Sequence, residues 1–244
     1  METELFYLIL FIVAFLYAAV GHGGASGYLA LMALYGIAPQ EMKPTALFLN
    51  LFVSLTSFIQ YYRGHHFKRD IFIPIALASI PFAFLGGMLS IDDYIYKKIL
   101  GILLLLPIIR FFFFRNVGDD RLVRPIKWIS ILLGTIIGLL SGMIGIGGGI
   151  ILSPILILLL WTNQKQTAAI SAAFIFVNSL AGLGGMLTQG ISLTSNMILY
   201  IVVAFTGGLL GAYLGSKKFN QEILKYVLAT VLVLAAYKLL FTSA

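Results

Sequence analysis

The chain has 244 residues, 60% hydrophobic and only 10% charged, against roughly 25% charged in a soluble globular domain; it reads as an integral membrane protein, since a soluble bundle would show polar helix faces and none is present. The formal charge of +7 does not point to nucleic acid, because the Lys and Arg residues sit in short loops between apolar runs, the pattern of cytoplasmic cationic loops that orient a membrane protein. No cysteine is present, which excludes disulfides, thiolate chemistry and Cys-ligated metals.

In chain order, Met1-Glu2-Thr3-Glu4 is acidic and lacks the cationic region that opens a cleaved signal peptide. A first apolar stretch, 5–37, is broken by Gly21-His22-Gly23-Gly24, and three plain spans follow at about 45–62, 71–90 and 94–114. A polar segment, 116–127, carries a Gly118-Asp119-Asp120 turn and reads as a cytoplasmic linker. A second broken stretch, 128–161, contains Gly145-Ile146-Gly147-Gly148-Gly149 and precedes plain spans at about 167–188, 195–216 and 222–241. Runs of this length suit a hydrocarbon core that takes about 20 helical residues.

The two halves, 1–115 and 128–244, repeat one pattern. A shift of 124 places Gly21, Gly23 and Gly24 on Gly145, Gly147 and Gly148, Phe52-Val53 on Phe176-Val177, Gly87 on Gly211, and Ile99-Leu100 on Ile223-Leu224. Between the glycines and the Phe-Val pair the register slips by two, so that Lys43-x-Thr45-Ala46 meets Lys165-x-Thr167-Ala168. If each broken stretch is a re-entrant hairpin, all of the 16 Lys and Arg except Lys43, Lys97, Lys98 and Lys238 fall on one side. If each crosses once, the split is nearly even, about nine to seven, and specifies no orientation. The hairpin reading therefore predicts an all-α polytopic membrane protein of two inverted repeats, each a re-entrant broken-helix hairpin plus three transmembrane helices. An odd number of crossings per half inverts the second half and puts both termini outside the cytoplasm.

Glycines at a hairpin tip permit positive φ and close backbone approach. The arm that starts there presents unpaired N–H groups and a positive helix end, which suit an anion. The alternative is that such glycines only allow helices to pack closely; the recurrence of the cluster in both halves favours the site. This nominates Gly21, His22, Gly23, Gly24 and Ser26 in the first half, and Gly145, Gly147, Gly148 and Gly149 in the second. His22 is the one ionisable side chain placed deep in the hydrocarbon region. It has two readings, a donor or proton carrier and a hydrogen-bonded structural histidine, and its mate in the repeat is Ile146. A polar face on the first plain span of each half adds Thr45, Asn50, Ser54 and Ser57, and Thr167, Ser171, Asn178 and Ser179, spaced to share a helix side. These line a polar path or merely tie helices together, at about 0.6 kcal/mol per bond. Lys43 and Lys165 stand at equivalent hairpin exits, where they attract anions to the mouths of a pathway or snorkel to headgroups. His65 and His66 lack neighbouring carboxylates at ligand spacing, so no metal site is expected. Hydrolase, zinc-protease and phosphate-loop motifs are absent, and no enzyme activity is expected.

The segments Gly142-Met-Ile-Gly-Ile-Gly-Gly-Gly-Ile-Ile-Leu-Ser-Pro154, Ala168-Ala-Ile-Ser-Ala-Ala-Phe-Ile-Phe-Val-Asn-Ser-Leu-Ala-Gly182 and Gly207-Gly-Leu-Leu-Gly-Ala-Tyr-Leu-Gly-Ser216 resemble the sulfite exporter TauE/SafE family of membrane permeases. The likeness runs over nearly the whole chain. It implies a secondary carrier of small anions, commonly sulfite, thiosulfate, sulfoacetate and other sulfonates, with some members associated with 2-oxo acids. The glycine motif then falls on Gly145, Gly147, Gly148, Gly149 and Pro154, and the polar helix motif on Ser171, Asn178 and Ser179. The first half departs from it, reading Gly23-Gly24-Ala25-Ser26 with no proline matching Pro154. The expectation is an alternating-access transporter of a small anion in a bacterial or archaeal inner membrane, with lipid as its surroundings, no cofactor, and H⁺ or Na⁺ as a coupling ion left open. A passive anion channel and a non-transporting sensor or anchor module are the rival readings.

Overall fold

The computed structural model describes residues 2–19, 24–113, 122–190, 195–218 and 221–242. Gly21, His22 and Gly23, the linker turn Gly118-Asp119-Asp120 and the terminal Ala244 lie outside these residues. The described chain is helical throughout: α1 (Glu2–Ala19), α2 (Ala25–Leu34), α3 (Pro39–Arg63), α4 (Arg69–Met88), α5 (Asp93–Leu103), α6 (Leu106–Phe113), α7 (Lys127–Ile144), α8 (Gly149–Leu158), α9 (Gln164–Leu187), α10 (Ser195–Lys218), α11 (Gln221–Tyr237), and a π-helical turn Lys238–Thr242. Among the described residues, α3, α4, α7 and α9 are long and apolar enough to cross a bilayer. Large apolar side chains such as Leu77, Ile102, Trp128, Leu158 and Ile198 face outward, as they do when the surroundings are hydrocarbon rather than water.

Several boundaries differ from the sequence reading. The first plain span begins at Pro39 rather than Thr45, because proline suits the first helical turn, where its missing N–H has no bond to make. The third span is two helices, α5 and α6, divided at Leu104–Leu105, since Pro107 lacks an N–H and its ring crowds the turn before it. The last span ends in π-helical winding over Lys238–Thr242. Two of the described starts carry side-chain caps. The Asp92 carboxylate accepts from the Tyr94 and Ile95 amides of α5, and Asn163 with Gln166 forms a capping box on α9, satisfying amides that have no helical partner.

The helices of each broken stretch run against each other. Phe6 at the start of α1 lies 5.0 Å, ring to ring, from Tyr35 beyond the end of α2. Val123, just before α7, donates its N–H to the Leu160 carbonyl just after α8, at 2.8 Å. Each hairpin thus leaves near the point where it began.

Packing between the halves comes in exchanged pairs. The arm α1 lies on α10, α7 lies on α4, and α3 meets α9 at the centre. These contacts are close because one partner has no side chain. A Cβ on Gly134, Gly138 or Gly142 of α7 would strike the carbonyls of Ile75, Ser79 and Ala83 on α4, and one on Gly207 or Gly211 of α10 would strike those of Phe11 and Phe15 on α1. In both pairs the residue numbers rise together, so the paired helices are parallel. Small residues at four-residue spacing form such a groove in apolar surroundings, where dispersion contacts replace the hydrophobic drive.

The body has two ends. At one, Gln40 donates to Asp93 at 3.0 Å, Phe6 stacks near Tyr200, and Lys238 Nζ donates to the Leu34 carbonyl. At the other, Arg69 donates to the Tyr62 hydroxyl at 2.8 Å, and a surface pocket of about 330 Å³ is lined by Lys68, Asp70, Arg124, Trp161 and Gln166.

Candidate functional site

The reversal between α7 and α8 is made by glycines in a conformation that L side chains rarely adopt: φ is +85° at Gly145, +71° at Gly147 and +74° at Gly148. The turn is packed on every side. A Cβ on Gly145 would meet the Lys43 backbone of α3 at 2.9 Å. On Gly148 it would meet Phe174 and Ile137, with Ser141 Cβ at 3.3 Å, and on Gly149 it would meet Ile175. At Gly147 the neighbours are mixed: the Ile175 methyl lies 2.8 Å from where its Cβ would stand, and two polar atoms, Asn50 Nδ2 and Ser179 Oγ, lie at 3.0 and 3.1 Å. The α8 start just beyond, with Gly148 as its cap residue, has no side-chain cap. The opening amides and the positive helix end therefore face an environment that supplies neutral polar groups.

Those groups are unusual in being both buried and unpaired. Tyr28 Oη, Thr45 Oγ1, both amide atoms of Asn50, Ser54 Oγ, Ser141 Oγ, Asn178 Oδ1 and Ser179 Oγ are enclosed without a hydrogen-bond partner. Native interiors rarely leave polar atoms in this state, since each costs about 1–3 kcal/mol. Among the described residues, eight such atoms stand on α2, α3, α7 and α9, several midway along their helices in a central polar layer, and Asn50 and Ser179 border the Gly147 turn.

Other residues nominated from sequence are already engaged. Ser26 is hydrogen-bonded to the Tyr17 hydroxyl at 2.9 Å, joining the arms of the first hairpin. Ser171 pairs with Ser153 at 2.8 Å, and Ser153 donates to the Gly149 carbonyl at 2.6 Å, which fastens α8 to α9. Thr167 donates to the Asn163 carbonyl and pairs with Thr162, both at 2.7 Å, closing the α8–α9 corner. Ser57 is half-buried beyond the central layer, and His65 and His66 lie in the loop after α3. Among the described residues no three His, Cys, Asp or Glu side chains gather as a metal site would need.

Lys43 and Lys165 hold the same place in the repeat but not in space. Lys165 is exposed in the first turn of α9. Lys43 is half-buried, its ammonium 4.7 Å above the Tyr96 ring, and the Tyr96 hydroxyl donates to the Ile144 carbonyl at 3.0 Å. The amine thus sits beside the contact that steadies the α7–α8 turn.

In the first half Gly24 begins α2 with an ordinary φ of −73° and no side-chain cap. The Tyr28 ring folds back over it, so closely that a Cβ there would strike the phenol. Tyr28 and Ser141 are the central residues that sequence reading missed. Each lies one helical turn from a tip glycine, so a search for polar residues four positions from the Gly24 and Gly145 breaks would have found both.

Among the described residues, four helices long and apolar enough to cross a bilayer, with unpaired polar atoms buried among them, are the features of a multi-pass membrane protein, and the relatives set its class as that of the transporters. The family described as sulfite exporter TauE/SafE matches residues 6–239, and the chain belongs to it. It is 34% identical to the probable membrane transporter protein y4hK of Sinorhizobium fredii, over 99% of this chain and 100% of that one. It is 30% identical to the probable membrane transporter protein MJ0441 of Methanocaldococcus jannaschii, over 91% and 89% of the two chains. With the probable membrane transporter protein YjnA of Bacillus subtilis identity is 25%, over 98% and 100%. The family is one of membrane transporters, not of enzymes. No solved structure matches the chain.

Proposed function

We propose that this protein is a secondary carrier of a small anion, of the sulfur oxyanion class that the family's description suggests, working in an inner membrane. The observation that carries the reading is the α7–α8 turn, where an uncapped helix start stands among buried neutral donors with no partner of their own. Such a site replaces an anion's hydration without burying a counter-charge at high desolvation cost. A bound ion can therefore also leave.

In this reading the hairpins are re-entrant and the halves are inverted copies, with the site near the midplane. The parallel seats of α1 on α10 and α7 on α4 support it, because a twofold exchange of the halves turns one pair into the other. So does the crowding of Arg63, Lys68, Arg69, Arg124, Lys127 and Lys165 toward one end, the cytoplasmic one by the cationic-loop rule. Alternating access then comes from rocking one half against the other.

The purified chain in liposomes is expected to move labelled sulfite, thiosulfate or a sulfonate at carrier rates, and Gly147→Val to abolish the flux while the protein still inserts and purifies. Currents far above carrier turnover would instead mark a channel. Absence of flux for every anion would leave a sensor or anchor, and normal flux by Gly147→Val would remove the turn from the site.

A further inference from the structure

Asn178 differs from the other members of the central layer in which of its atoms is left over. Its Nδ2 donates to the Phe174 carbonyl one turn back at 2.9 Å. That bond fixes the amide's orientation, because the flipped amide would set oxygen against oxygen. The leftover atom is therefore Oδ1, an obligate acceptor, which is buried and without a partner. A ligand built only of acceptor oxygens has nothing to offer it and would be repelled. The hydroxyls of Tyr28, Thr45, Ser54, Ser141 and Ser179 are free to donate to anionic oxygens. The layer thus supplies several donors and, at Asn178, a point that demands one.

We infer that the transported species is an oxyanion still carrying a proton, its O–H donated to Asn178 Oδ1 while the hydroxyls and the opening amides of α8 hold its charged oxygens. This rests on the anion-carrier reading and narrows it. Hydrogen sulfite fits, whereas its dianion and a sulfonate without a hydroxyl do not, and each anion moved carries one proton with it. Ser54 is Asn178's mate in the repeat, and as a hydroxyl it can accept or donate. Asn50 keeps both a donor and an acceptor unpaired, so Asn178 is the amide of the layer that offers a ligand an acceptor and no donor.

The test uses the full chain in liposomes. Labelled sulfite uptake is measured across a pH series with equal pH on both sides, and its inhibition by methanesulfonate is measured at the acid end. The expected result is a flux that follows the hydrogen sulfite fraction, falling about tenfold per pH unit above its ionisation. Methanesulfonate should compete about tenfold more weakly than unlabelled hydrogen sulfite, the usual loss when a buried acceptor stays unpaired. In Asn178→Leu, or Asn178→Ala if that variant does not fold, the two competitors should come within about twofold of each other. Sulfite flux indifferent to pH overturns the inference. So does an unchanged competitor ratio in the variant, which would mean that Oδ1 serves a water, or Na⁺-dependent flux that the variant loses, which would make the acceptor a cation ligand. The carrier reading survives each of those results, whereas a wild-type protein that moves no anion at any pH removes both.

Discussion

Ser26 and Ser179 are both buried serines beside a chain reversal, yet they stand in opposite chemical situations. The Ser26 hydroxyl is paired with Tyr17, and the Ser179 hydroxyl is paired with nothing. Ser26→Ala should cost about 1–3 kcal/mol, because it strands the Tyr17 hydroxyl. The expected result is a lower thermal midpoint in detergent with little change in the KM for sulfite. Ser179→Ala removes an unpaired group and should leave the midpoint nearly unchanged while raising KM about tenfold. The reverse pattern would exchange their roles. In sequence the two carry the same weight, since neither a place beside a glycine tip, as for Ser26, nor helical periodicity, as for Ser179, tells what stands opposite a serine. Ser171 was legible and engaged, Ser54 was legible and unpaired, Asn178 was legible with only its oxygen unpaired, and Tyr28 and Ser141 were hidden within the broken apolar stretches.

At the scale of the element, the glycines of α7 set how near α4 can come. Gly138 faces the Ser79 carbonyl so closely that no side chain fits, whereas Gly184 of α9 has only Phe84 ring atoms at 3.5 Å and beyond. Gly138→Leu should therefore destabilise by about 1–3 kcal/mol or more through overpacking, and Gly184→Ala by much less. Thermal unfolding of the two variants in one detergent checks the ranking. The order of the apolar segments was readable from run lengths, and the separation of α7 from α8 from the glycine break at 145–149. The start of α3, the division between α5 and α6 and the π-helical ending were not, because hydropathy is blind to where backbone hydrogen bonding changes. Pro39 and Pro107 were the local signs available.

Across the whole molecule, the two ends can be separated experimentally because the chain has no cysteine of its own. Tyr94→Cys and Lys68→Cys place single thiols at exposed positions near opposite ends. With the cationic end in the cytoplasm, a membrane-impermeant maleimide should label Tyr94→Cys in intact cells and Lys68→Cys only after lysis. A periplasm-active reporter fused after Ala244 should be active. Labelling of both thiols from outside would overturn the arrangement of the ends. The pairing of α1 with α10 and of α7 with α4 also has a temporal side. When α7 leaves the ribosome its seat has already been synthesised, but α1 emerges first and the glycines that receive it belong to α10, which begins at Ser195. The opening segment of the nascent protein must be sheltered by lipid or the insertion machinery until most of translation is over, which makes its docking one of the last steps of biogenesis.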